Sequence, residues 1–180
     1  VALVRGAFEY QGQKCSAASR AYVPSNLWPE VQKKMLAMLA DIRMGDVADF
    51  RNFVGAVIDK KGFDKIAEYI QTARKAKGVE LVAGGTADDA VGYFIEPTLL
   101  RADDPRYRTM CEEIFGPVLT LHVYPAARWE ETLALVDGIV NDADLDIAAR
   151  LLARFGQGRG ADKVTVEIHP HGGAARTIEV

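Results

Sequence analysis

At 180 residues, 49% apolar and 26% charged, the chain is long enough to bury a core without staples and reads as one globular domain. A net charge of -3 argues against a nucleic-acid partner, because phosphate binding needs clustered Lys and Arg. No apolar run approaches the ~20 residues that span a bilayer, so no membrane partner is expected either. The start, VALVRGAFEY, has no signal-peptide pattern and no initiator Met, which predicts a segment of a longer polypeptide. The two cysteines, Cys15 and Cys111, lie far apart without CxxC spacing. That predicts free thiols in a reducing compartment rather than a disulfide framework or a metal site.

In chain order, ALVRGAFEY predicts a short helix leading to Gly12 and Cys15. RAYVP predicts a strand stopped by Pro24. Ser25 is then expected to cap a helix with Pro29 in its first turn and Gly45 at its end. Leu27, Val31, Met35, Met38, Leu39 and Ile42 recur at helical spacing along it. After the brief apolar GAVID comes a second helix, with Phe63, Ile66, Ile70 and Ala73 on one face and Gly78 as its closing cap. VELVAGG reads as a strand ending in a glycine pair. GYFIEPTLL reads as a strand that Pro97 marks as an edge or a bulge. VLTLHVYP is the strongest strand, and ARWEETLALVD is helical, with Trp129, Leu133 and Val136 on one side. ADLDIAARLLARFG predicts a further helix, GQGRGAD a loop and DKVTVEIHP a strand. This alternation predicts an α/β fold, a three-layer αβα sandwich with a largely parallel sheet.

Chemistry concentrates in two stretches. In GQKCSA, Cys15 sits among small and polar neighbours that let a substrate approach the sulfur, whereas a structural cysteine sits among large apolar ones. Lys14 adds positive potential, and amides near a helix end would favour the nucleophilic thiolate and donate to an oxyanion. None of His122, His169 and His171 lies near Cys15 in sequence. A cysteine hydrolase therefore lacks a visible base, and His122 reads as a hydrogen-bonded strand residue. The pair His169 and His171 lacks a third ligand, so no metal is expected. In CEEIFGPVLTLHVYP, Glu112 and Glu113 precede a tight Phe115-Gly116-Pro117 turn. A carboxylate there can accept hydrogen bonds from a sugar diol. Taken alone, such a pair is more often a solvated one beginning a turn than a ligand site.

GQKCSA followed about a hundred residues later by EEIFGPVL resembles the NAD(P)-dependent aldehyde dehydrogenase superfamily. RGAFEYQGQKCSAASRAYVP, GAVID and GYFIEPTLL resemble its L-glutamate γ-semialdehyde (1-pyrroline-5-carboxylate) dehydrogenase branch, which completes proline breakdown to glutamate. The resemblance runs from about Val1 to Asp137. It implies a catalytic domain whose nucleophile is Cys15, acting through a thiohemiacetal and a thioester, with the Cys15 backbone N–H as one oxyanion donor. It implies Ser16 as a partner of the substrate carboxylate; a local backbone cap is the equal alternative. It further implies Glu113 on the ribose of NAD (or NADP), Phe115 against the nicotinamide, a small aldehyde as substrate and a homo-oligomer for the full-length protein. Cytoplasm is the expected location, with the mitochondrial matrix as the alternative.

The family's dinucleotide-binding domain and two of its catalytic groups lie upstream of the nucleophile. No G-x-G-x-x-G appears in this sequence. The isolated chain is therefore expected to be inactive. Residues 138–180 depart from the family as a tail, apart from a faint echo in HPHGGAART. A catalytically dead α/β scaffold or interaction module is the competing reading.

Overall fold

The computed structural model describes residues 1–136 and 138, together with the backbone of two strands at 165–168 and 176–179. The chain divides into two units, Val1–Trp129 and Glu130–Val180.

The first unit is built on a four-stranded sheet in the order β1-β6-β5-β2. Its strands are β1 (Arg20–Pro24), β2 (Val79–Ala83), β5 (Thr98–Ala102) and β6 (Val118–Tyr124). β6 is central and runs parallel to both β1 and β5, while β2 joins β5 antiparallel. The sheet is therefore mixed but mostly parallel, as the alternation of elements predicts. A small antiparallel ribbon pairs β3 (Ala87–Asp88) with β4 (Phe94–Ile95).

Side chains of a strand alternate between its two faces, and β6 does so strictly. Leu119 and Leu121 face one core with Leu99 and Val23; Val118 faces the other with Leu100. The first core is covered by α1 (Ala2–Phe8) and α2 (Trp28–Asp41), through Val4, Ala7, Phe8, Trp28 and Met35. The second is covered by α3 (Lys60–Lys75), through Phe63, Ile66, Tyr69, Ile70 and Ala73. Helices thus lie on both faces, giving the three-layer αβα arrangement. Each fully buried Ile or Leu contributes roughly 1.5–3 kcal/mol. Thr120 points to the α3 side, where its buried hydroxyl donates to Thr109 Oγ1 (2.8 Å) on α4 (Arg108–Cys111).

α3 is the best-specified helix. Asp59 caps it by accepting from the Gly62 N–H (2.7 Å), and Arg74 and Lys75 sit in its last turn. It ends at Ala76, and Gly78, expected as the cap, instead turns the chain into β2 at φ 75°. α2 differs from expectation at both ends. It carries Pro29 in its first turn, but Ser25 does not cap it; the Ser25 N–H donates to Tyr124 O (2.8 Å), extending the sheet contact. The helix stops at Asp41, not Gly45. Arg43 O accepts from the Phe53 and Val54 N–H groups, and Met44 bridges Val54, so this stretch is already extended. Of the proposed stripe, Met35 is buried, Val31, Met38, Leu39 and Ile42 pack partly, and Leu27 is exposed. Trp28 takes the buried place beside it.

Pro97 marks neither an edge nor a bulge. It separates β4 from β5, so one apolar run supplies two strands of two different sheets, and β5 lies in the sheet interior. Residues 129–136 are helical, as expected, although Trp129 and Leu133 are exposed. In the second unit, β7 (Thr165–Ile168) pairs antiparallel with β8 (Arg176–Glu179), and β7 falls where DKVTVEIHP predicts a strand. The helix expected over ADLDIAARLLARFG, the GQGRGAD loop, His169 and His171 lie outside the described residues.

Candidate active site

Cys15 and Ser16 are the central residues of a β-turn closed by the Ala17 N–H donating to Lys14 O (3.0 Å). Both are exposed, and the thiol is free. The expectation that Cys15 sits at a helix end is corrected here, because α1 ends at Phe8 and a 3-10 turn, Glu9–Gly12, intervenes. The turn is tied down on both sides. The Ala18 N–H donates to Gly6 O on α1 (2.9 Å), and the Thr120 N–H of β6 donates to Ser19 O (3.0 Å). The nucleophile candidate therefore stands on a loop whose ends are fixed by a helix and the central strand.

Lys14 does not direct its charge at the sulfur alone. Its Nζ pairs with Glu9 Oε2 (3.1 Å) and lies 5.0 Å from the Tyr10 ring centroid. Arg5 holds the other Glu9 oxygen (2.8 Å), and these two bonds, Arg5's first, hold the Glu9 carboxyl below its usual pKa. Tyr10 and Gln11 are both left-handed, at φ 52° and 58°. Such backbone persists only where its surroundings enforce it.

The second stretch follows α4. Glu113 is exposed, and its main-chain oxygen accepts from Lys65 Nζ of α3 (2.9 Å). Phe115, at φ 59°, is 40% exposed, while its neighbours Ile114 and Gly116 are buried. Of the pair, Glu112 is the one engaged by side chains. Its Oε2 accepts a hydrogen bond from the Tyr69 hydroxyl and lies 3.4 Å from Arg108 Nη2.

Gly12 and Gly116 bring the two stretches together. Gly12 is left-handed at φ 65° and packs against the Gly116 carbonyl. A Cβ at position 12 would fall on Gly116 O, 2.8 Å from its carbonyl carbon and 2.7 Å from Ala7 O. Only glycine fits, on grounds of both conformation and space. The start of α3 completes the junction. The Ile58 N–H, just before it, donates to Gln13 Oε1 (3.0 Å), and Ile66 packs under Gly116. Gln13 and Gly12 thus tie the chain leading into the cysteine turn to Ile58 of GAVID and to Gly116 at the end of the second stretch. A cleft of about 270 Å³ is lined by Glu9, Tyr10, Gln11, Val47, Asn52 and Phe53, among others, and Cys15, Ser16, Glu113 and Phe115 are not among its lining residues.

His122 and Cys111, also singled out in the sequence, make contacts of their own. His122 is a strand residue whose Nδ1 lies 3.1 Å from Ala102 O, edge-on to Tyr22. Cys111, read as structural, donates from Sγ to Arg106 O (3.5 Å), and burial pushes its thiol pKa up. Sequence reading missed Tyr69, Arg108 and Lys65 as neighbours of the acidic pair. Tyr69 lies 43 residues from Glu112, so no local pattern connects them.

The aldehyde dehydrogenase family model matches residues 1–153. The chain is 51% identical over 134 residues to the mitochondrial delta-1-pyrroline-5-carboxylate dehydrogenase of Dictyostelium discoideum and 50% identical over 135 residues to the human one. In each case this is 74% of the chain and 24% of the relative, so the chain spans about a quarter of the length of these proteins. Among solved structures it resembles the Mycobacterium tuberculosis delta-pyrroline-5-carboxylate dehydrogenase bound with NAD (TM-score 0.69, 45% identity, 76% of this chain, 24% of that one). It also resembles the NAD+ complex of a Bacillus cereus aldehyde dehydrogenase (TM-score 0.68, 27% identity, 75% of this chain, 27% of that one). The chain belongs to the aldehyde dehydrogenase family.

Proposed function

We propose that the chain is the nucleophile-bearing part of an NAD-dependent dehydrogenase that oxidises L-glutamate γ-semialdehyde to glutamate. The observation that carries this reading is the exposed Cys15 turn, locked through Gly12 against the Gly116 end of the Glu113–Phe115 turn. Identity near 50% to relatives named for this substrate's cyclic form supports the choice of aldehyde.

The chemistry assigned to the chain's own residues is as follows. The Cys15 thiolate attacks the aldehyde carbon; a C–S bond forms and the carbonyl electron pair moves to oxygen. The backbone N–H of Cys15 donates to that oxyanion. Ser16, next in the turn and exposed, donates its hydroxyl to the substrate's α-carboxylate without moving the sulfur. NAD, when bound, would supply the hydride acceptor needed to bring the adduct to the acyl level. Attack by water on the resulting Cys15 thioester releases glutamate and returns the thiolate.

The residues present suit that cofactor. Glu113 offers two carboxylate oxygens to a ribose diol, and its bond to Lys65 uses the main chain rather than the carboxylate. Phe115 offers an exposed apolar ring to a flat heterocycle. The reading expects a reducing compartment, either the cytoplasm or the mitochondrial matrix; the Dictyostelium and human relatives are named mitochondrial.

The test is a chimera in which residues 1–136 replace the matching segment of the Mycobacterium tuberculosis enzyme. It should form NADH from L-glutamate γ-semialdehyde. Cys15→Ala should lower kcat by about 10⁴-fold or more, while Cys111→Ala leaves it within about threefold. A folded chimera that forms no NADH would favour the catalytically dead module.

A further inference from the structure

Glu112 has no part in the chemistry above, yet its carboxylate is engaged by two side chains, Tyr69 and Arg108. We propose that Glu112 is a positioning residue: Tyr69 and Arg108 grip its carboxylate and so hold the adjoining Glu113 where it can meet the cofactor. This rests on the ribose-holding role given to Glu113 above.

The grip starts from the core. Tyr69 is 6% exposed and belongs to the buried face of α3. Its ring is fixed, and its hydroxyl donates to Glu112 Oε2. Arg108 stacks on the same ring with its guanidinium carbon 4.0 Å from the centroid. It reaches Glu112 Oε2 through Nη2 (3.4 Å) and Glu68 Oε1 through Nη1 (3.1 Å). Glu68 is held in turn by Thr72 Oγ1, which donates to it (3.2 Å). One residue further along the turn, Lys65 Nζ donates to Glu113 O (2.9 Å).

Glu68 and Tyr69 lie three and four residues after Lys65 and four and three before Thr72, so the four form a single face of α3. That face holds residues 112 and 113 in succession, while Ile66 supports Gly116 from below. The turn between them contains left-handed Phe115, a conformation that needs external restraint. α3, anchored in the core by Phe63, Ile66, Tyr69, Ile70 and Ala73, supplies that restraint. Released from it, an exposed Glu113 would have to be ordered by the cofactor itself, and the cost would fall on binding rather than on chemistry.

Two measurements test this. In the chain itself, hydrogen exchange of the amides of residues 113–116 should quicken about tenfold in Tyr69→Phe and in Glu112→Ala, while the amides of residues 63–73 stay within about twofold. In the chimera, KM for NAD should rise about tenfold in either variant with kcat within about threefold. Glu112→Gln, which keeps an acceptor for Tyr69, should recover most of the loss. The double variant should be no worse than the poorer single one, because both break one link. Unchanged exchange at 113–116, or faster exchange throughout α3, overturns the proposal. Quicker exchange at the turn with an unchanged KM overturns its functional purpose. A parent chimera that forms no NADH counts against the dehydrogenase reading instead, and the exchange result still decides the grip.

Discussion

Cys15 stands exposed at the centre of a β-turn, whereas Cys111 ends α4 with its Sγ turned to Arg106 O and half covered. The first is flanked by small and polar residues on a loop pinned at both ends; the second is raised in pKa by burial. Each thiol lies in or next to one of the two stretches that meet at Gly12 and Gly116, so proximity to the junction does not distinguish them. Access and burial do.

The severest way to break this contrast is to disturb the junction. Gly12→Ala should cost about 3 kcal/mol in urea unfolding, since the new Cβ meets main chain and the residue must remain left-handed. Gly116→Ala should cost less, about 1–2 kcal/mol, because its Cβ meets only the Ile66 side chain, whose Cδ1 lies 2.5 Å away. Equal losses would show that the close approach at Gly12 is not the tighter of the two.

Labelling sharpens the contrast directly. Iodoacetamide at neutral pH should modify Cys15 at least about tenfold faster than Cys111, as read by peptide mass spectrometry. Comparable rates would remove the argument from access.

The smallest effect is alkaline. Burial raises the pKa of Cys111 above its ordinary 9.0 and those of Tyr22, Tyr69 and Tyr107 above 10.0. The unfolded chain then loses these protons first, so between the two sets of values the folded state binds more of them. Stability should be level with respect to these groups below pH 9 and decline as pH climbs past 9 to 10. Stability that increases over that interval would contradict the burial of these groups.

The regular elements were legible where one signal dominated. The period of Phe63, Ile66, Ile70 and Ala73 gave the buried face of α3, and RAYVP and VLTLHVYP gave β1 and β6 almost to the residue. Reading failed where a tertiary hydrogen bond competed with a local preference. Ser25 had the right chemistry for a cap but its amide joins the sheet at Tyr124, and Pro97 divides a run whose two halves serve different sheets. The candidate site was legible as two separate motifs. Their junction was not, because Gly12 has no side chain to signal a partner 104 positions away. The Tyr69–Glu112–Arg108 cluster was equally hidden, being specified by helix packing rather than by neighbours in sequence.

The Gly12–Gly116 approach is main chain against main chain, and this limits how the protein can change. A clash between two side chains can be relieved by trimming either partner. Here neither residue has anything to trim, so a substitution at position 12 has no compensating exchange at position 116. Second-site revertants of Gly12 variants should therefore map to residues that set the backbone path, such as those flanking Pro117, and not to the surface of the cleft.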